Sequence, residues 1–298
     1  MQLTNKLRNP YTALVLAATA ASFSAIFIKG SNAPGMVAGF YRMAGASLVM
    51  AWPFYRQLRQ SGIPPLSTIK LAVLCGFLLG VDTVVWSSSV SLGNATTPTL
   101  ITHTSPLWVG IGTTIFFRTN LRLGFWIGCA ISLLGTAIII GIDDNLKAVS
   151  LSSLLAFSSS IIFAAFLLCA EKARKNIAAI SFYWIVTAIA CLTTLVANIL
   201  FATELIGYPY RTYLNFIGLA LVPQVIGWVA LTYSLGQLPA TLVSTSFLAQ
   251  PIITALLAVL ILGESLKLTE ITGGATVLIG IFIVHRNMQK IIGATTGK

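Results

Sequence analysis

Apolar runs of about twenty residues recur along this chain from Tyr11 to Val284, joined by connections too short to hold a soluble domain. A helix needs about 20 residues, at ~1.5 Å each, to cross the hydrocarbon core of a bilayer. Backbone polar groups in hydrocarbon must bond within their own segment, which favours helices, and the alternating polarity of a membrane barrel is absent. On that ruler, spans fall near 11–30, 34–55, 68–91, 96–117, 121–142, 150–171, 178–202, 213–236, 240–262 and 267–285. The expected fold class is an all-α membrane protein with ten transmembrane helices. Only 8% of residues are charged and the mean hydropathy is +0.90, whereas soluble domains carry about 25% charged residues. The first run has the length of a span and no convincing small-residue cleavage site, so it reads as a helix and not as a cleavable leader.

The net charge of +11 would suggest nucleic acid in a soluble protein. Here the basic residues read as topology signals in short loops. With the N-terminus in the cytoplasm, the inner side collects Lys6, Arg8, Arg56, Arg59, Lys70, Arg118, Arg122, Lys172, Arg174, Lys175, Arg286, Lys290 and Lys298, while the outer side keeps Lys29, Lys147, Arg211 and Lys267. That bias satisfies the positive-inside rule and places both termini in the cytoplasm. The expected setting is a bacterial-type inner (cell) membrane, with the chain a monomer or a homodimer in the lipid bilayer and no nucleic-acid partner. The four cysteines, Cys75, Cys129, Cys169 and Cys191, fall within apolar spans and show neither metal spacing nor a disulfide framework.

The chain also repeats itself. A shift of 145 lays Pro106 on Pro251, Gly128 on Gly273 and Gly135 on Gly280, and overlays "ATTPTLITHTSPLW" (95–108) on "ATLVSTSFLAQPII" (240–253). A shift of 142 lays "FYR" (40–42) on "FYW" (182–184). The two halves, 1–145 and 146–298, read as duplicates of five helices each. Five is odd, so the second copy enters the membrane the other way round, the inverted-repeat architecture of many secondary transporters. The glycines at 128, 135, 273 and 280 recur every seven residues within each helix, which lines one stripe with small residues and permits close helix contact.

The stretch "LAQPIITALLAVLILGESLKLTEITGGATVLIGIFIV" (248–284), with Pro251, "LGE" at 262–264 and glycines at 273 and 280, resembles the signature helix pair of the EamA family of the drug/metabolite transporter superfamily. "YSLGQLPATLVS" (233–244) is similar to the family's approach to that pair. Arg118-Thr119 stand where the first half would match Gly263-Glu264, so no glutamate carries over there. The resemblance implies a secondary transporter, often an exporter of amino acids or other small metabolites. Vitamins, nucleotide-like compounds and drugs are alternative substrate classes. Glu264, in a short outer turn, suits a cap on the last helix.

Ionisable residues inside spans are costly and point to function or to pairing. Arg42, Asp82 and His103, on three successive helices, fall in one layer below the outer surface. Three readings stand open: an Arg42–Asp82 ion pair that holds the first half together, an Arg42 contact with a substrate carboxylate, or proton coupling through Asp82 or His103. The second half offers Trp184, Gly227 and Leu248 at the matching positions, with Gln224, Trp228, Tyr233, Thr245 and Gln250 as neutral donors and acceptors. Helices three, four, eight and nine are therefore the expected walls of a site for a small-molecule substrate, with Trp86, Trp108 and Trp228 as an aromatic lining. Pro106 and Pro251 each remove a backbone donor within a predicted helix and are the expected hinges. The serine runs "WSSSV" (86–90) and "FSSSI" (157–161) read as packing residues, and His285 reads as solvated.

No Walker A loop, HExxH, GxSxG or metal-ligand spacing occurs, so neither cofactor nor metal is expected. An intramembrane enzyme built on Asp82, His103 and Ser105 is disfavoured because positions two apart on a helix point roughly 200° apart. A channel is the other alternative.

Overall fold

The computed structural model describes residues 9–92, 101–140, 151–250, 252–253, 256–257 and 268–296, and every regular element among them is helical. Asn9 starts the first helix by accepting the Tyr11 amide on its side-chain oxygen at 2.9 Å, with Pro10 in the first turn. Proline has no amide to lose there. The run predicted as one span is two helices, α1 (Pro10–Ser22) and α2 (Ser24–Ser31), broken at Phe23. Pro34 then opens the 27-residue α3 (Gly35–Ser61), which ends at Gly62 with φ 72°, a left-handed backbone that favours glycine.

Next come α4 (Leu66–Leu92), α5 (Ser105–Phe116), α6 (Leu123–Ile140), α7 (Leu151–Arg174) and α8 (Ala179–Leu200). The eighth predicted span is one rod in three parts: α9 (Tyr210–Leu219), a π-helical segment Ala220–Gly227, and α10 (Trp228–Leu235). Pro223 lies inside the π segment; its missing amide disrupts the α ladder, and a wider turn accommodates the loss. After Pro239, α11 (Ala240–Ser246) tightens into a 3-10 turn at Phe247–Ala249, and α12 (Leu268–Thr296) closes the chain.

Among the described residues, α4, α7, α8, the Tyr210–Leu235 rod and α12 are long and apolar enough to cross a membrane. Helices α1, α6 and α11 are shorter but apolar. The outward faces carry large bare hydrophobics such as Leu48 (75% exposed), Phe116 (78%) and Leu200 (77%), a surface that suits lipid. The interior mixes large apolar side chains with small and hydroxyl residues. Many of these hydroxyls return to their own backbone one turn back, as Thr83 does to Leu79 and Thr187 to Tyr183.

The most extensive pairings are α6 with α12, α4 with α7, α4 with α8, and α3 with α8. Each joins a helix from before residue 141 to one from after residue 150. The glycine stripe explains the first pair. A Cβ on Gly128 would stand 2.8 Å from the Gly280 carbonyl oxygen, and one on Gly135 would stand 2.7 Å from that of Gly273. The two helices thus touch backbone to backbone and run antiparallel. Ser132 adds a hydrogen bond to the Val277 carbonyl at 3.3 Å. Between α4 and α7, Ser89 and Ser152 donate to each other's carbonyls at 2.9 and 2.8 Å.

Candidate functional site

Arg42 lies on α3, roughly 10 Å below the end that begins at Gly35. Its Nε donates to Gln224 Oε1 in the π segment, and its guanidinium carbon sits 5.7 Å from the centre of the Trp228 ring. Trp228 is backed in turn by Phe163 and Phe166 of α7, with ring centres at 6.1 and 5.6 Å. The Tyr183 hydroxyl donates to the Gln224 backbone carbonyl at 2.5 Å. Residues from α3, α8, the π segment and α10 therefore meet at one point.

Asp82 lies about 15 Å from the Leu92 end of α4. Its Oδ1 accepts the Ser159 hydroxyl of α7 at 2.6 Å. The static ion pair expected between Arg42 and Asp82 is not formed: among the described residues, the ion pair within 4.0 Å is Glu171–Lys175. Each charge has a neutral partner from the far half of the chain. The two still lie within electrostatic reach of each other. Both residues keep part of their surface accessible.

The remaining predicted residues divide into those gathered near this tract and those occupied elsewhere. Trp86 is half-buried one turn beyond Asp82 on α4. Trp108 on α5 meets Phe157 of α7 edge to face at 5.2 Å, and its indole N–H is buried without a partner among the described residues. His103 stands in the two-residue turn that precedes α5, half-buried. Tyr233 on α10 packs against the main apolar core. Thr245 is fully buried and returns its hydroxyl to Thr241 and Leu242, so it serves its own helix. Gln250 reaches α1, donating to the Ala21 carbonyl at 3.4 Å while its own carbonyl accepts from Ser22.

Two expectations change. Pro106 does not interrupt a helix: the chain breaks at His103–Thr104, and Pro106 sits in the first turn of α5, where its missing amide costs nothing. His285 is not simply solvated, because α12 continues past it to Thr296 and turns it toward α11, where Nε2 lies 2.9 Å from Ser246 Oγ. Pro251 and Glu264 lie outside the described residues.

Ser159 and Tyr183 are the residues that sequence reasoning missed. Ser159 belongs to the "FSSSI" run assigned to packing, and nothing in that run marks its middle serine as the partner of a carboxylate 77 positions away. Tyr183 sits beside Trp184 in "FYW", the segment that overlays "FYR". Trp184, at the position matching Arg42, is a bolt between α8 and α3: it stacks on Phe54 at 4.1 Å and donates to the Ser47 carbonyl at 3.0 Å.

The family model for EamA-like transporters matches this chain twice, over residues 9–141 and 150–286. An uncharacterized transporter of Bacillus subtilis (strain 168), YdfC, is 25% identical over 250 residues, which covers 81% of this chain and 79% of that protein. A protein of known crystal structure superposes with a TM-score of 0.74 over 94% of this chain and 99% of its own, at 17% identity. That similarity concerns the fold.

Proposed function

The chain belongs to the EamA-like transporter family, and from that premise we propose that it is a secondary transporter of small organic metabolites such as amino acids. It works by alternating access between two five-helix halves, 1–145 and 146–298, set in the membrane in opposite senses. One observation carries the mechanism. Exchanging the halves by the 145-residue shift turns the Gly128–Gly280 contact into a Gly273–Gly135 contact, which is the other close approach of α6 and α12. A contact set that maps onto itself in an antiparallel pair is what a two-fold axis in the membrane plane requires. The pairing of Asp82 with α7 has its counterpart too, for Gly227 stands where Asp82 does and packs against Ala17 and Ala20 of α1.

The two mid-span charges favour a ligand with two poles. Arg42 suits an anionic group and Asp82 an ammonium or a proton, with Trp228 against the Arg42 guanidinium. Export is the direction that the family favours. The positive-inside bias supports cytoplasmic termini in an inner (cell) membrane. Rocking of one half on the other is expected to flex the chain at the His103–Pro106 break and at Pro251.

The test is counterflow in proteoliposomes loaded with a pool of labelled amino acids, nucleosides and vitamins, with and without a proton gradient. Exchange of one class supports the reading and names the substrate. Folded protein that exchanges nothing but conducts ions points to a channel and overturns it.

A further inference from the structure

Gln224 is fully buried, and Arg42 sets the orientation of its amide. Arginine has five N–H donors and no acceptor, so the amide must turn its oxygen to Arg42 Nε. The amide nitrogen shares a carbon with that oxygen and therefore stands beside the guanidinium. It is buried and, among the described residues, has no hydrogen-bond partner. Such an orphan donor in a native interior asks for a partner that arrives with a ligand.

The residue is also held firmly. Its backbone carbonyl takes the Tyr183 hydroxyl, and Gly45, one turn beyond Arg42, lets α3 approach until an added Cβ would stand 2.6 Å from Ala220 Cβ. The π turn around Pro223 sets the direction in which Gln224 leaves the helix, and π segments recur at functional sites. Arg42, meanwhile, commits only Nε and the face toward Trp228. Among the described residues its two terminal nitrogens donate to nothing, and part of the residue's surface remains accessible. Those nitrogens form the edge of a planar fork that matches a carboxylate in a bidentate manner.

We infer that Gln224 is a specificity-determining residue: it clamps Arg42 with its terminal nitrogens outward and adds its own amide N–H, so that the site selects molecules bearing a carboxylate and rejects the matching primary amides. This rests on the reading of the Arg42–Asp82 tract as the substrate site.

The experiment uses the proteoliposomes above, with whichever label exchanges. Two matched pairs of competitors are added: phenylalanine with phenylalaninamide, and 3-phenylpropionate with 3-phenylpropionamide. In the wild type, at least one carboxylate should compete tenfold or more better than its amide. Gln224→Glu places a rival carboxylate on Arg42, and the ratio should collapse toward one with the amide's own potency little changed. Gln224→Met keeps the volume but removes both the clamp and the extra donor, and should lower the ratio severalfold. Arg42→Lys keeps the charge without the fork and should fall between. A general structural defect would weaken acid and amide alike, which separates it from a lost selectivity. Should Gln224→Glu not fold, the methionine variant decides. If a label exchanges but wild type treats acid and amide equally, or if the ratio survives in the folded Gln224 variants, the inference is overturned while the transporter reading stands. If no label exchanges at all, the transporter reading itself has failed, and the inference with it.

Discussion

Replacing Gly280 by alanine puts a methyl group 2.6 Å from the Gly128 carbonyl oxygen, 2.6 Å from the Ser132 amide nitrogen and 2.2 Å from its hydroxyl. The hydroxyl can rotate away, but the two backbone atoms cannot. Ordinary contact between carbon and oxygen begins near ~3.4 Å, so α6 and α12 must part by roughly 0.8 Å. A gap of that size forfeits about a quarter to a half of the dispersion energy of each facing atom pair. It also stretches the Ser132–Val277 hydrogen bond, already 3.3 Å long, beyond useful reach. The expected loss is about 1–3 kcal/mol, as for overpacking a filled core. The neighbouring glycine supplies the control. Among the described residues a methyl on Gly274 meets nothing closer than Ile252 at 3.7 Å, and alanine there should gain up to about 1 kcal/mol of helix propensity. Unfolding of the purified protein in mixed micelles by a rising fraction of SDS, followed by circular dichroism, gives both values on one scale. Gly128→Ala added to Gly280→Ala should cost less than the sum, because the first methyl has already opened the pair. If Gly280→Ala and Gly274→Ala agree within about 0.5 kcal/mol, the backbone-to-backbone contact is not what holds α6 to α12, and the two-fold argument loses its best support.

Asp82→Asn keeps an oxygen for the Ser159 hydroxyl but removes the charge, so the protein should reach the membrane at wild-type levels and lose transport; loss of the protein itself, measured by immunoblot of the membrane fraction, would assign Asp82 to scaffolding. Ser159→Ala leaves the carboxylate without its 2.6 Å donor and should cost about 1.5–3 kcal/mol, the range for a hydrogen bond to a charged group, in the same SDS titration. Trp184→Phe preserves the stack on Phe54 and deletes the bond to the Ser47 carbonyl, for a loss near ~1 kcal/mol with the carboxylate selectivity of transport unaltered. Pro251→Ala should slow counterflow with little change in stability, and an unchanged rate removes that hinge.

The helices themselves were legible one by one. Hydrophobic length, loop charge and the seven-residue glycine spacing are local properties of the chain, and each acts through a force that needs no distant partner: transfer into hydrocarbon, the inside preference of Lys and Arg, the room left by a missing Cβ. From them the sequence by itself determined an all-helical membrane protein and the small-residue stripes at 128, 135, 273 and 280, while the break at Phe23 and the run of the last helix to Thr296 lay beyond it. The positions of Arg42 and Asp82 along their helices were legible for the same reason, since they are only rise per residue counted along a helix.

Which side chain meets which was decided by the tertiary structure alone. Arg42 and Asp82 carry opposite charges on successive helices, and an ion pair between them was one of three readings left open. Yet α4 packs on α7 and α3 on the π segment, so Ser159 reaches Asp82 and Gln224 reaches Arg42 first. Azimuth is the reason. A hydrogen bond depends on the rotation of each helix about its axis, which is set by close packing against neighbours far away in sequence. The π segment rotates Gln224 further, in response to one proline that a hydropathy pattern does not register. Length and depth are therefore sums over a single segment, while the partners of a buried charge depend on how every segment is turned.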